Sequence, residues 1–206
     1  MTPDPIQATT DYYNTHAQTG WIDRKTNSFY VEEQFSHIAP LWPAGGTVLD
    51  IGCAAGLHVP LFLGIGRHTR YHGLDSSETF LSVARRRYPQ LAFTLGSITN
   101  SNLFSTNQFT GFWANSILMH IPYSDWNEVF MYLETIMSPG SYGYLSLPTE
   151  HPEPTPTDTR HFTIRTAAEQ VAYLTGRHWH IVNQGVFDGF TKPGIWHWYI
   201  VQLPQK

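Results

Sequence analysis

The sequence predicts an α/β protein: a doubly wound, seven-stranded, mostly parallel sheet with helices on both faces and an antiparallel strand at the C-terminal end. Three observations carry this. Residues 48–56, Val-Leu-Asp-Ile-Gly-Cys-Ala-Ala-Gly, read as an apolar strand running into a small-residue turn that opens a helix. Strand-like and helix-like runs then alternate as far as residue 147, as they do where parallel strands are joined by helical crossovers. Asp75 ends a second strand-like run one strand-helix unit after the first.

The N-terminal forty residues are rich in aromatics (Tyr12, Tyr13, Trp21, Phe29, Tyr30, Phe35) and read as two short helices. Thr9, Thr10 and Asp11 supply N-cap candidates for the first, and Val31, Phe35 and Ile38 lie at helical spacing on the second. Pro40, Pro43, Gly45 and Gly46 break the chain before strand one at 47–51. A helix over 57–64 leads to strand two at 71–74. Ser76 or Ser77 caps a helix to residue 88, and strands three and four follow at 91–95 and 111–115. Ser124 or Asp125 caps the next helix, to residue 137, where Pro139 and Gly140 turn the chain into strand five at 142–147. Residues 148–160 carry four prolines, which exclude a helix and favour an extended path, either a linker or a lid beyond strand five. Thr166 caps a helix to residue 176. Two aromatic-rich strands, at 178–187 and 195–203, close the sheet through a connection at Lys192, Pro193 and Gly194. There is no internal repeat, and one domain is expected over 1–206.

Composition narrows the function. With 206 residues, 41% hydrophobic and 15% aromatic, the chain is large and apolar enough to bury a core, which excludes disorder for most of it. Twelve Lys and Arg against 16 Asp and Glu give a formal charge of −4, so no global field draws nucleic acid and small molecules become the expected substrates. The compact basic cluster, Arg85, Arg86 and Arg87, falls at a predicted helix end, where it complements the dipole. Cys53 is the sole cysteine. It excludes an intramolecular disulfide, suits a reducing, cytoplasmic setting, and reads as a small packed residue with no basic partner to make it a nucleophile. The histidines form no ligand set with acids or cysteine, so no metal is expected; His178 and His180 share one strand face but make only a pair. The opening Met-Thr-Pro-Asp-Pro has no basic segment followed by an apolar run, and no window reaches membrane-spanning length, so neither a leader nor a membrane partner is expected.

Two ligand-binding patterns compete for residues 50–56. The dinucleotide fingerprint G-x-G-x-x-G requires glycine where Ala54 and Leu57 stand. Asp-Ile-Gly-Cys-Ala-Ala-Gly at 50–56, followed by Gly-Leu-Asp-Ser-Ser at 73–77, instead resembles the first and second motifs of class I S-adenosylmethionine-dependent methyltransferases, and the chain is similar to the small bacterial methyltransferase-domain family. The resemblance spans 48–148. It implies a Rossmann-like fold, S-adenosyl-L-methionine as cofactor and S-adenosyl-L-homocysteine as product. It divides the chain into an N-terminal helical lid (1–45), a cofactor-binding core (46–148), a proline-rich lid or linker (149–163) and a C-terminal helix with two strands (164–206).

The resemblance also implies site residues. Asp50, Gly52, Cys53, Ala54 and Gly56 form the cofactor turn, small enough for close approach and with backbone N–H groups as donors. Asp75, with Ser76, takes the ribose hydroxyls. Phe80 matches an apolar position against adenine, although its spacing equally makes it a helix core residue. Gly96, Ser97 and Ile98 correspond to the segment that meets adenine; many relatives carry an acid where Ser97 stands, which shifts that contact toward the backbone of Ile98. Asn115 and Ser116 belong to the segment beneath the methionine part. His120 is a candidate general base for a hydroxyl or ammonium acceptor near neutral pH, or alternatively an architectural residue. Residues 11–17 are similar to a tyrosine-bearing entry helix. Tyr13, ahead of Tyr12, covers the cofactor or acceptor, unless it is an aromatic staple onto the core; Tyr12 is an acceptor-side candidate. Asp158-Thr-Arg-His-Phe resembles a short acid-x-Arg-x-Phe element in which Arg160 either clamps an acidic acceptor or ties the segment down by a salt bridge, with His161 as a further acceptor-side candidate.

The implied reaction is in-line attack by an acceptor atom on a sulfonium methyl. It needs positioning and exclusion of water more than covalent help, which suits a chain with a clear cofactor turn and no nucleophilic triad. A small-molecule acceptor is expected. The alternatives are a non-catalytic cofactor-binding module or partner subunit on the same fold, or a methyltransferase acting on protein or RNA; the charge balance opposes RNA.

Overall fold

The computed structural model describes residues 4–17, 29–65, 69–150, 157–188 and 194–205. Seven strands, β1 (Thr47–Ile51), β2 (Arg70–Asp75), β3 (Ala92–Leu95), β4 (Phe109–Ala114), β5 (Met137–Pro148), β6 (His180–Asp188) and β7 (Ile195–Gln202), form one sheet in the order β3-β2-β1-β4-β5-β7-β6. β1 to β5 pair in parallel, and β7 runs antiparallel to both β5 and β6. The doubly wound sheet of the sequence reading, with its antiparallel C-terminal strand, is therefore present. Period-two alternation divides the core. Leu49, Phe112, Leu145 and Tyr199 pack with α5 (Trp126–Ile136) and α6 (Ala167–Gly176) on one face. Val48, Trp113, Tyr144 and Ile200 pack on the other with α2 (Phe29–Ile38), α3 (Val59–Gly64) and α4 (Glu78–Arg87).

Element boundaries differ from the sequence reading where local bonds decide them. α1 (Pro5–His16) starts a turn before Thr9, Thr10 and Asp11, because Asp4 accepts from the Ile6 N–H at 2.9 Å and Pro5 suits the first helical position. α3 begins at Val59 rather than 57, since residues 54–58 form turns closed by Gly56 N–H to Cys53 C=O. Ser77 caps α4, donating nothing to the helix and accepting from Phe80 N–H at 3.2 Å. Asp125 stands at the cap position of α5 but its carboxylate accepts from the Ser124 hydroxyl, so it does not cap through its side chain. Pro139 and Gly140 do not precede β5; they form an irregularity inside it, with Gly140 at φ +71° and bonded to Pro204 C=O. His178 lies in a turn at φ +61° ahead of β6, so it shares no strand face with His180. Trp21 and the connection at Lys192 and Pro193 fall outside the described residues.

α6 carries the clearest local signature. Thr166 Oγ1 accepts from Glu169 N–H at 3.3 Å while Glu169 Oε2 accepts from Thr166 N–H at 2.8 Å, a complete capping box. Thr166→Ala is expected to lower the unfolding free energy by about 1 kcal/mol, read from urea denaturation midpoints at unchanged slope.

Candidate functional site

The chain leaves β1 in one direction, toward β2 and β3, and in the other toward β4 and β5, so the crevice between the carboxyl ends of β1 and β4 is the switch point of the sheet. The turn after β1 opens there. Gly52, Ala54 and Gly56 adopt φ values of +73°, +48° and +79°. At Gly52 the conformation and the space both exclude a side chain, because a Cβ would lie 2.7 Å from Ile117 Cγ1. The sequence suggests backbone N–H groups aimed at a ligand, but much of this turn is bonded internally. Gly52 and Cys53 N–H donate to Leu74 C=O at 2.7 and 3.1 Å, and Ala54 N–H donates to Asp75 Oδ2 at 2.8 Å. Close backbone approach, rather than a row of open donors, is what this turn offers.

Asp75 ends β2 beside it. Its other oxygen accepts from Ser77 N–H at 2.8 Å, and burial raises its carboxyl to about 6. Each oxygen accepts one short N–H bond and the Ser76 N–H also favours the charged form; with about four lone-pair positions on a carboxylate, room for hydroxyl donors remains. Asp50, by contrast, is 1% exposed and lies beneath the turn, where it accepts from the Tyr71 hydroxyl at 2.8 Å. Cys53 is buried against Gly73, and its thiol is pushed up chiefly by that burial, which keeps it protonated and unreactive. Phe80 and Ile98 are buried; Ser97 accepts from the Thr99 hydroxyl at 2.9 Å. Past β4, Ser116 is held at φ +57° by donation of its N–H to Ser146 Oγ, which itself donates to Asn115 Oδ1.

α1 lies across this end of the sheet. Thr10 and Ser76 share a hydroxyl bond at 2.9 Å, Ser77 donates to Asn14 at 2.6 Å, and Ala17, Ala55, Phe80 and Val83 form an apolar cluster with Tyr13. Tyr13 then reaches the other side of the crevice. His120 Nδ1 faces His161 C=O at 2.7 Å and must donate to it, so its Nε2 accepts from the Tyr13 hydroxyl at 2.8 Å. Arg160 donates to that same hydroxyl oxygen at 3.2 Å and forms a bidentate pair with Asp158, two bonds of 2.8 Å. Burial lowers His120 to about 3 and raises Tyr13, so both are neutral near pH 7. The Arg160 guanidinium also lies 4.7 Å from the Tyr12 ring centroid and 4.9 Å from that of Phe162. His161 donates its N–H to Thr9 Oγ1 and its Nε2 pairs with Thr163 Oγ1.

Of the residues expected from sequence, Tyr13, Tyr12, His120, Arg160 and His161 thus converge in one network, while Gly52, Ala54, Gly56, Asp75 and Ser76 gather a short way along α1. Asp50 is turned into the core. Asn14 and Ser146 were not singled out by sequence, Thr9 and Thr10 were read only as cap candidates, and Asp158 takes the salt-bridge alternative offered for Arg160. Residues 10, 13, 14 and 17 do follow helical spacing, but the stripe mixes polar with apolar residues and so carries no hydrophobic signal.

A doubly wound sheet, a glycine turn at its switch point, an acid ending β2 and a helix laid across both make this chain similar to the class I S-adenosylmethionine-dependent methyltransferases. Residues 48–140 match the family model described as a methyltransferase domain. Trans-aconitate 2-methyltransferase of Sinorhizobium medicae is 28% identical over 130 residues, 63% of this chain and 47% of the relative, so the chain spans about half the length of the curated relative it matches. Among solved structures, magnesium protoporphyrin IX methyltransferase from Synechocystis PCC 6803 with bound S-adenosylhomocysteine is 15% identical with a TM-score of 0.72, over 97% of this chain and 100% of that one. A methyltransferase from Methanosarcina mazei is 16% identical with a TM-score of 0.70, over 82% of this chain and 98% of that one. At these identities the structures share the fold.

Proposed function

We propose that this protein binds S-adenosyl-L-methionine and transfers its methyl group to a small molecule. The observation that carries the reading is Asp75: a carboxylate at the end of β2, bonded to the glycine turn, with room left for hydroxyl donors and with α1 closing over it. The carboxylate, as acceptor, fits a ribose diol, and buried Phe80 and Ile98 fit an adenine ring. On this reading Gly96 and Ser97 belong to the adenine wall, Gly52, Ala54, Gly56, Ser76, Asn115 and Ser116 to the cofactor's remaining length, and buried Cys53 supports the turn from behind. Asp50 supports the turn from below through Tyr71.

When bound, the cofactor supplies an electrophilic methyl on a sulfonium. The chain's own residues orient and enclose. Tyr13 stands over the crevice between Phe80 and His120. His120 fixes the direction of the Tyr13 hydroxyl proton, and α1 with residues 157–163 shields the site from water through the Thr9–His161 and Tyr13–Arg160 bonds. With its Nε2 occupied and its basicity depressed, His120 acts by holding Tyr13 rather than by taking the acceptor's proton itself. A small acceptor accords with the net charge of −4, and the sole cysteine, buried, accords with the cytoplasm. No helix among the described residues is long and apolar enough to cross a membrane.

Titration calorimetry with S-adenosylmethionine and S-adenosylhomocysteine, followed by transfer of labelled methyl into the small-molecule fraction of a cell extract, tests this. Absence of binding, or label found only in protein or RNA, overturns it. The Asp75 carboxyl adds a pH signature. Ribose recognition needs the carboxylate, so affinity is lost as pH falls through about 6. S-adenosylhomocysteine is expected to bind about 10-fold more weakly at pH 5 than at pH 7.5, since roughly one carboxyl in ten is then ionised. In the ligand-free protein the raised value has the opposite consequence: it favours the fold at low pH, and that contribution is lost as pH rises through 6. The thermal stabilisation given by the ligand is therefore larger at pH 7.5, which melting curves at the two pH values will show.

A further inference from the structure

Arg160 is a cation on the proposed acceptor side, where Asp158 and Tyr13 engage it. Its Nε and Nη2 edge is bound two-fold by Asp158, the two side chains are only 7% and 4% exposed, and Nη1 donates to Tyr13. Rings of Tyr12, Tyr13 and Phe162 lie against the guanidinium. Tyr12 is in turn stacked on His16, ring centroids 3.8 Å apart. An anion arriving here meets an ion pair already neutralised in geometry and charge. The charge of Asp75 also reaches the Tyr13 hydroxyl, as that of Asp158 does. Two carboxylates therefore stand against one guanidinium around Tyr13, and His120 adds no positive charge.

We propose that Asp158 is a specificity-determining residue: by occupying Arg160 it makes the acceptor side select an uncharged molecule and reject carboxylates, including the tricarboxylate for which the curated relative is named. This rests on the methyl-transfer reading above. Desolvation supplies the reason for the selectivity. A carboxylate leaving water must gain a fork of donors in exchange, and the fork is already occupied by a buried partner with ideal bidentate geometry. An uncharged acceptor pays no such penalty against the aromatic faces of Tyr12, Tyr13 and Phe162.

The test uses the whole chain saturated with S-adenosylhomocysteine, whose own binding is measured first; failure at that step strikes the methyl-transfer reading, not this one. Trans-aconitate is then titrated by calorimetry into wild type, Asp158→Asn and the double variant Asp158→Asn/Arg160→Gln. Wild type is expected to bind no tighter than about 1 mM, Asp158→Asn at least about 10-fold more tightly than that limit, and the double variant to lose that gain. A purely structural Asp158 would weaken the fold without creating an anion site. Wild-type binding near about 1 μM, or no gain in a folded Asp158→Asn, overturns the proposal. If Asp158→Asn does not fold, Asp158→Ser, smaller and still able to accept a hydrogen bond, is read in its place with the same expected gain.

Discussion

Asp75→Ala is expected to weaken S-adenosylhomocysteine binding about 100-fold, because two hydrogen bonds from ribose hydroxyls to a charged acceptor are lost together, a combined loss of about 2.7 kcal/mol. The substitution acts on the protein as well as on the ligand. Ala54 and Ser77 N–H both lose their acceptor, so the turn after β1 and the start of α4 lose the strut that joins them. Asp75→Asn separates the two effects: its oxygen still accepts one bond, and its affinity is expected to fall between wild type and the alanine variant. Calorimetry gives the affinities and melting curves give the folded fraction. An Asp75→Ala protein that melts as a folded chain and binds as wild type does would remove Asp75 from the site.

Gly52→Val is expected to cost about 3 kcal/mol of stability and to abolish cofactor binding in whatever fraction folds. The residue sits at φ +73°, where an L side chain costs about 1–2 kcal/mol and a β-branched one more. Its Cβ would also stand 2.7 Å from Ile117, on the segment that carries Ser116 and His120 past the end of β4. Pushing Ile117 away therefore disturbs both walls of the crevice at once. Urea denaturation and calorimetry with S-adenosylhomocysteine read the two losses; a valine variant with wild-type midpoint and affinity would show that the turn tolerates the side chain.

How much of this was legible in the sequence depended on how far apart the interacting residues lie. The strand-turn-helix at 47–64 and the caps, at Ser77 of the two serines offered and at Thr166, rest on neighbours within a few residues, so periodicity and cap chemistry reveal them. Boundaries failed where a competing local bond was available: Asp4 with Pro5 began α1 early, and Gly140 let β5 continue through a proline and a glycine that normally end an element. The acceptor-side network is another matter. Tyr13 and His120 are 107 residues apart, Tyr13 and Arg160 147, and Thr9 and His161 152. No spacing rule connects them, and only the family resemblance brought Tyr13, His120 and Arg160 forward as individual candidates.

The sequence by itself determined the sheet, the glycine turn at its switch point and the acid after β2, because alternating burial and the steric demands of a positive φ are written in adjacent residues. Tertiary structure alone decided how the polar groups are used. It turned Asp50 into the core under Tyr71, engaged the turn's N–H groups with Leu74 and Asp75, and occupied Arg160 with Asp158 before any ligand could reach it. The physical reason is that a buried polar group must find a partner, and which partner it finds is set by the packing of distant segments rather than by the residue's own neighbours in sequence.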